Sequence, residues 1–336
     1  MDNFTVKTFL RPDFYEYFPR FSSLDIANRL IWQNFAKATF LGLCNIETGL
    51  HKGVLSPEII RSFLTSSPEY QIQQMTEVLS VVGISQPVVE AIRNVPRHLY
   101  CPSRDIPFAY VDTSLLFDKF SCLSAPSIVA LMLDRLNPSR GMRILDVGCG
   151  SCYHAHCVSE LCSNDCEICG VEINRGFLNL AKSALAKTGL TTIKIAHGDA
   201  RKGWPQGGKF DALYGAVAMG KGIPQTLLRQ VKDGGTVQFT RPLTQEEFLS
   251  EPEKSWLRTT FHYFRDYSRS WRIFCCLVTG RRRGDQVIES ERLYDVTFVP
   301  LRLERSSVNR KMRHVDHLEM LRRLLDNHSN RDMVNC

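Results

Sequence analysis

Apolar positions in the middle of the chain follow two alternating patterns. Short apolar or β-branched runs at Arg143 to Val147, Ile168 to Ile173, Thr192 to Ala196, Phe210 to Val217 and Thr236 to Thr240 have the length of strands. Between them, Tyr153 to Leu161, Gly176 to Thr188 and Pro224 to Val231 carry apolar residues at threes and fours, as helices do. Strand, helix and strand in repeated succession predict an α/β fold, a mostly parallel sheet with helices on both faces. Ahead of this region, Leu24, Ala27, Leu30, Ile31, Phe35, Ala38 and Phe40 recur as one buried helix face would. Ser23 before Asp25, and Ser56-Pro57-Glu58, are helix starts. The expected organisation is therefore an N-terminal helical extension over 1–67, an α/β domain over 68–304, and a basic C-terminal tail over 305–336. Val315, Leu318, Leu321, Leu324 and Leu325 give that tail one amphipathic helix.

The rhythm breaks at 243–272, where Trp256, Phe261, Tyr263, Phe264, Tyr267 and Trp271 are interleaved with arginines. Such a stretch could stack and neutralise single-stranded nucleic acid. An insertion that covers the sheet edge, arginine stems lying on inward-packed aromatics, is the favoured reading. Arg281-Arg282-Arg283-Gly284 reads as a solvated turn between strands.

Composition narrows the class. Hydrophobic residues make up 43% and charged residues 23% of 336, ordinary globular usage, which excludes wholesale disorder. The longest apolar run, Ile273 to Thr279, is strand-sized, so no membrane span is expected. Met1-Asp2-Asn3-Phe4 lacks a basic start leading into an apolar core, and Asp13 and Glu16 do not suit a transit peptide. Twelve cysteines without a secretion signal point to reduced thiols and a cytoplasmic location. The net charge of +7 is spread along the chain, whereas a nucleic-acid footprint would be concentrated, so no such partner is expected.

The chemistry concentrates in Ile144-Leu145-Asp146-Val147-Gly148-Cys149-Gly150-Ser151-Cys152-Tyr153, an apolar strand ending in a Gly-x-Gly turn that opens a helix. Backbone there can approach a ligand without Cβ obstruction, through Gly148 and Gly150. Glu172 ends the next strand and could accept from both ribose hydroxyls of an adenosine; Asp199 ends the third and could accept from an adenine amino group. A dinucleotide loop would carry a third glycine where Tyr153 stands. Asp146 would repel phosphates but suits a cation. S-adenosylmethionine, with a sulfonium, an ammonium and no phosphate, fits Asp146, Glu172 and Asp199 better than a dinucleotide does.

These residues belong to a wider pattern: Val95-Pro96-Arg97-His98, Ala109-Tyr110-Val111-Asp112, Leu123-Ser124-Ala125-Pro126, Gly198-Asp199, Phe210-Asp211-Ala212, Gly234-Gly235 and Phe298-Val299-Pro300-Leu301. In this order, over about Tyr70 to Leu303, the chain resembles the protein-L-isoaspartate (D-aspartate) O-methyltransferases. The resemblance implies a Rossmann-like methyltransferase fold, S-adenosylmethionine as cofactor, and methyl transfer to the α-carboxylate of isoaspartyl residues in damaged proteins or peptides. The ester then closes to a succinimide and reopens partly to normal aspartate. By the same resemblance Ser124 is the active-site serine. Ser121, Cys122 and Leu123 form its cofactor-contacting loop, and Asp146, Glu172, Ile173, Asp199 and Ala200 are the other cofactor contacts. Ser-Ala-Pro is also good helix-capping sequence, a second role open to Ser124.

The chain departs from the family at Cys152, where glycine is usual and a small residue is expected to be tolerated. It departs again at Gly215 to Gly222, beside the acceptor and one residue longer, at Arg302, where threonine is common, and in the insertion and both termini. A non-catalytic cofactor-binding adaptor that recruits damaged proteins, or a methyltransferase for a different dedicated peptide, therefore stays open beside repair.

Cys149-x-x-Cys152 and Cys166-x-x-Cys169 have zinc-site spacing. The helix from Tyr153 would hold the pairs about 15 Å apart, too far for one ion, so no metal is expected. His154 and His156 read as packing or surface residues, Arg97 as holding a carboxylate or a structural salt bridge, and Tyr214 and Met219 as acceptor-pocket lining or core.

Overall fold

A computed structural model of the chain describes residues 65–81, 83–112, 114–118, 121–219, 222–242 and 273–298. Nearly all of the expected N-terminal extension, the 243–272 insertion, Arg302 and the C-terminal tail lie outside them. The chain divides into two compact units, one of 84–109 with 114–312, the other of 1–83 with 110–113 and 313–336. In the second unit, helix α1 (Pro68–Val81) begins at Ser67, whose hydroxyl accepts from the Tyr70 N–H at 3.3 Å. No described helix is long and apolar enough to cross a membrane.

The first unit holds helix α2 (Gln86–Asn94), an antiparallel pair β1 (Leu115–Asp118) and β2 (Ser121–Leu123), and helix α3 (Pro126–Leu136). Then come β3 (Arg143–Val147), α4 (Tyr153–Leu161), β4 (Glu167–Glu172), α5 (Arg175–Thr188), β5 (Ile193–His197), β6 (Phe210–Ala218), α6 (Gln225–Leu228), β7 (Val231–Pro242), β8 (Ile273–Arg283) and β9 (Gln286–Phe298). Strands β3 to β9 form one sheet in the order β5-β4-β3-β6-β7-β8-β9. The first five pair in parallel, while β8 and β9 run antiparallel to their neighbours. Ile144, Leu145, Val147, Ile168 and Leu213 are fully buried at its centre. The chain leaves β3 in one direction through β4 and β5, then returns to its other side for β6. That reversal opens a crevice at the carboxyl end of β3, where ligands of open α/β sheets bind.

Three elements differ from the sequence expectation. The helix expected over Pro224 to Val231 is a single turn, because Val231 is already paired with Phe210 at the start of β7. Strand β7 accordingly runs well beyond Thr236–Thr240. Arg281 to Arg283 lie inside β8 rather than in a turn; the chain reverses only at Gly284, whose φ of +58° suits glycine. Near the hairpin end, a strand can carry arginines because one face is open to water.

The turn from β3 to α4 is built from left-handed backbone at alternate residues, with φ of +76° at Gly148, +55° at Gly150 and +67° at Cys152. The Gly148 and Cys149 N–H groups both donate to the Val171 carbonyl, at 2.9 and 3.2 Å, which ties the loop to β4. On that strand Gly170 makes room: a Cβ there would stand 2.7 Å from the Cys149 sulfur. Cys152 carries the cost. Fully buried at a left-handed position, it bears strain of about 1–2 kcal/mol that glycine would not.

This strain can be read by denaturation. Cys152→Gly and Cys152→Ala both remove the sulfur, but only alanine keeps the Cβ in left-handed backbone. The glycine variant is expected to be about 1 kcal/mol the more stable in urea unfolding. Equal stability would show that the loop carries no strain at Cys152.

Candidate functional site

An open cleft lies at the carboxyl ends of β3, β4 and β6. Ser121, Cys122, Leu123 and Ser124 enter it from β2 and the residue after it, Asp146 from β3, Gly148 and Gly150 from the loop, Glu172 and Ile173 from the end of β4, and Ala200 from the turn after β5. Residues distant in sequence therefore converge because parallel strands deliver their carboxyl ends to one edge.

Asp199 is the exception among the expected contacts. It caps the turn after β5, accepts from the Arg201 N–H at 3.0 Å and the Arg201 Nε at 2.9 Å, and pairs with the same guanidinium through Nη2. That arginine holds its carboxyl below the usual range. The carboxylate is thus engaged by a residue two positions downstream, and Asp199 is not among the residues that line the cleft.

Two acids anchor the site differently. Glu172 reaches back from β4: its Oε2 accepts from the Gly150 N–H at 2.9 Å and its Oε1 from the Asn174 N–H at 2.7 Å. The carboxylate plane is thereby fixed by loop and strand together. Asn174 in turn caps α5, accepting from the Gly176 and Phe177 N–H groups, and donates to the Ser121 hydroxyl at 3.4 Å. Asp146, 2% exposed, accepts from the Tyr214 hydroxyl at 2.7 Å. Burial pushes Asp146 up to about 7 despite that hydrogen bond, and the Glu172 charge adds to the rise. A cation bound at this wall would favour the ionised form of Asp146.

Ser124 does not cap α3. Ala125 occupies the N-cap position with Pro126 in the first turn, and no side chain closes the cap. The loop is held instead by Arg97, fully buried, which donates from Nη2 to the Ser124 carbonyl at 2.7 Å and from Nε to the Ala109 carbonyl at 2.7 Å. Its guanidinium lies over the Tyr153 ring, 4.7 Å from the centroid. Among the described residues Arg97 thus grips backbone carbonyls, where the sequence reading had a carboxylate or a salt bridge.

Other residues take places that sequence alone did not fix. Tyr214 is core and hydrogen-bonded to Asp146, a partnership between neighbouring strands with no local signal. Ala216 and Val217 line the cleft from the end of β6, within the Gly215 to Gly222 stretch that the resemblance puts beside the acceptor. Ser151 and His154 also line it, His154 being buried rather than on the surface. His156 is buried too and lies 2.5 Å from the Tyr100 hydroxyl. Cys149 interacts with Cys152, and Cys166 with Cys162, each within its own loop. Among the described residues no three of His, Cys, Asp and Glu are grouped to hold a metal.

Comparison with known proteins bears on this geometry. The model of the protein-L-isoaspartate(D-aspartate) O-methyltransferase family matches residues 71–250. A protein-L-isoaspartate O-methyltransferase of Methanopyrus kandleri is 36% identical over 166 residues, 48% of this chain and 73% of that protein. The protein-L-isoaspartate O-methyltransferase 1 of Rhodopseudomonas palustris is 33% identical over 238 residues, 70% of this chain and 84% of that one. A crystal structure from Plasmodium falciparum, in complex with S-adenosyl-L-homocysteine, shares the fold with a TM-score of 0.51 at 21% identity, over 68% of this chain and 97% of that one.

The buried Asp146 sets a pH dependence. Its pKa in the folded chain lies above the unfolded value of about 4, so its stabilising contribution is full below pH 4 and is lost as pH rises to about 7. A cation in the cleft selects the ionised form, so affinity moves the other way. Binding of S-adenosylmethionine, measured by calorimetry, is expected to strengthen by up to about tenfold per pH unit from pH 5.5 to 7 and then level off. Asp146→Asn should bind more weakly at pH 7.5 and show no such slope. A wild-type affinity independent of pH would contradict this.

Proposed function

The chain belongs to the protein-L-isoaspartate(D-aspartate) O-methyltransferase family, and we propose that it methylates the α-carboxylate of isoaspartyl residues in damaged proteins and peptides. The observation that carries this reading is the buried Asp146 carboxyl on the wall of a glycine-lined cleft whose other acid, Glu172, is locked to the loop. The residues present fit S-adenosylmethionine: Asp146 for its cationic end, Glu172 with Ile173 for its ribose, Ala200 for its base, and Ser121 to Leu123 along its flank. When bound, it supplies a methyl group made electrophilic by the sulfonium.

The chain's own groups have little proton chemistry to perform. An acceptor carboxylate with a pKa near 4 is already ionised at neutral pH and needs no general base. What remains is alignment, worth up to about 7–11 kcal/mol, and removal of water from two opposite charges that vanish as the ester forms. Ser124 stands at the cleft where its hydroxyl can donate to one carboxylate oxygen and leave the other to attack. Arg97 sets where Ser124 sits by holding its carbonyl, so it acts as a positioning residue. Ala216 and Val217 give the acceptor side an apolar wall, which favours loss of charge.

We place the protein in the cytoplasm, where a reducing environment keeps cysteine thiols reduced. The partner is an isoaspartyl-containing polypeptide, and the chemistry calls for no nucleic acid.

The test uses a matched peptide pair, one isoaspartyl and one aspartyl, with labelled S-adenosylmethionine. Base-labile label is expected in the isoaspartyl peptide alone, and Ser124→Ala should lower kcat about 100-fold with cofactor affinity retained. No transfer to either peptide by folded protein that binds the cofactor would refute the repair reading in favour of an adaptor or a dedicated acceptor.

A further inference from the structure

Ser151 and His154 stand at the entrance to α4, three residues apart, and both form part of the cleft wall. They are buried, at 2% and 8% exposure. Neither the Ser151 hydroxyl nor either ring nitrogen of His154 meets a hydrogen-bond partner among the described residues. Burying such a group unpaired costs about 1–3 kcal/mol, and folded proteins complete nearly all of them.

The surroundings say what kind of group completes these two. Burial pushes His154 down to about 3, so the ring is neutral and offers one N–H donor. It packs on Tyr214 with centroids 4.5 Å apart, which holds it beside the Asp146 partner. Helix α4, nine residues long, brings first-turn N–H groups and the positive end of its dipole to the same place. Hydroxyl, imidazole N–H and helix amides can all donate, whereas Asp146 is an acceptor. A set of converging donors with a positive dipole suits an anion of modest charge.

We propose that Ser151 and His154 form a carboxylate-binding subsite at the amino end of α4. The inference rests on the methyl-transfer reading of the cleft, in which two carboxylates are present. One is the amino-acid carboxylate of the cofactor, the other the α-carboxylate of the acceptor. Either would accept from the Ser151 hydroxyl and the His154 N–H at once, and the helix end would add its dipole to the hydrogen bonds.

The two sources separate by experiment on the full chain. Ser151→Ala and His154→Leu are made, and their urea midpoints are checked against the wild type. Leucine fills the ring's space without a polar atom, so folding is expected to persist. Affinities for S-adenosylhomocysteine and for decarboxylated S-adenosylmethionine are measured by calorimetry, and KM and kcat with the isoaspartyl peptide by label transfer. If the subsite takes the cofactor carboxylate, both variants bind S-adenosylhomocysteine about tenfold more weakly and the decarboxylated analogue unchanged. If it takes the acceptor, cofactor affinities stay fixed and KM for the peptide rises about tenfold. Variants that match the wild type in all three measurements, while the wild type binds and transfers, overturn the subsite alone. A wild type that binds the cofactor without transfer overturns the repair reading but leaves the cofactor arm decisive. A wild type that binds neither cofactor form overturns both.

Discussion

The site depends on one carboxylate that ties two pieces of backbone together. Glu172 accepts from the Gly150 N–H on one oxygen and from the Asn174 N–H on the other. Charge-assisted bonds of this kind are about twice as strong as neutral ones. They tie the glycine turn to the end of β4 and to the residue that caps α5. Through Asn174, the hold extends to the Ser121 hydroxyl and so to the strand that leads into Ser124. A single acid thus links the loop, the second strand of the parallel sheet and the wall expected to face the acceptor.

The electrostatics of the cleft follow from its two acids. Asp146 is buried beside Glu172 and accepts from a neutral tyrosine, so this wall concentrates negative potential. That arrangement is costly in the empty protein and favourable with a cation bound, the usual signature of a binding group rather than a structural one. Arg97 supplies positive charge nearby in the fold, but it is spent on two backbone carbonyls and an aromatic face. The chemistry therefore rests on preorganised position: a carboxylate acceptor brings its own nucleophile, and the protein has only to align it and exclude water.

Much of this was legible in the sequence where local signals are strong. Arg143–Val147 and Tyr153–Leu161 have the boundaries that periodicity and the glycine turn predict, because Gly148 and Gly150 punctuate the chain between them. The clustering of Ser121 to Ser124, Asp146, Glu172, Ile173 and Ala200 also follows, since strand ends of a parallel sheet meet at one edge. What sequence could not supply depends on neighbours. Val231 looks like the end of a helix until Phe210 pairs with it. Asp199 has the right place for an adenine contact, and only the turn brings Arg201 onto it. Tyr214 and Asp146 are far apart in the chain and meet across adjacent strands. The glycine usual at Cys152 is explained only by a positive φ, which a small side chain does not by itself disclose.

The most direct test of the central role given to Glu172 is a calorimetric titration of S-adenosylhomocysteine into the wild type and into Glu172→Gln. The amide keeps the size of the side chain but replaces an acceptor with a donor, which must then face either the Gly150 or the Asn174 N–H. The wild type is predicted to bind at one site per chain, and the variant at least about tenfold more weakly with its fold intact. Equal affinity in the two proteins would contradict the account, since the loop would then hold its ligand without the clamp.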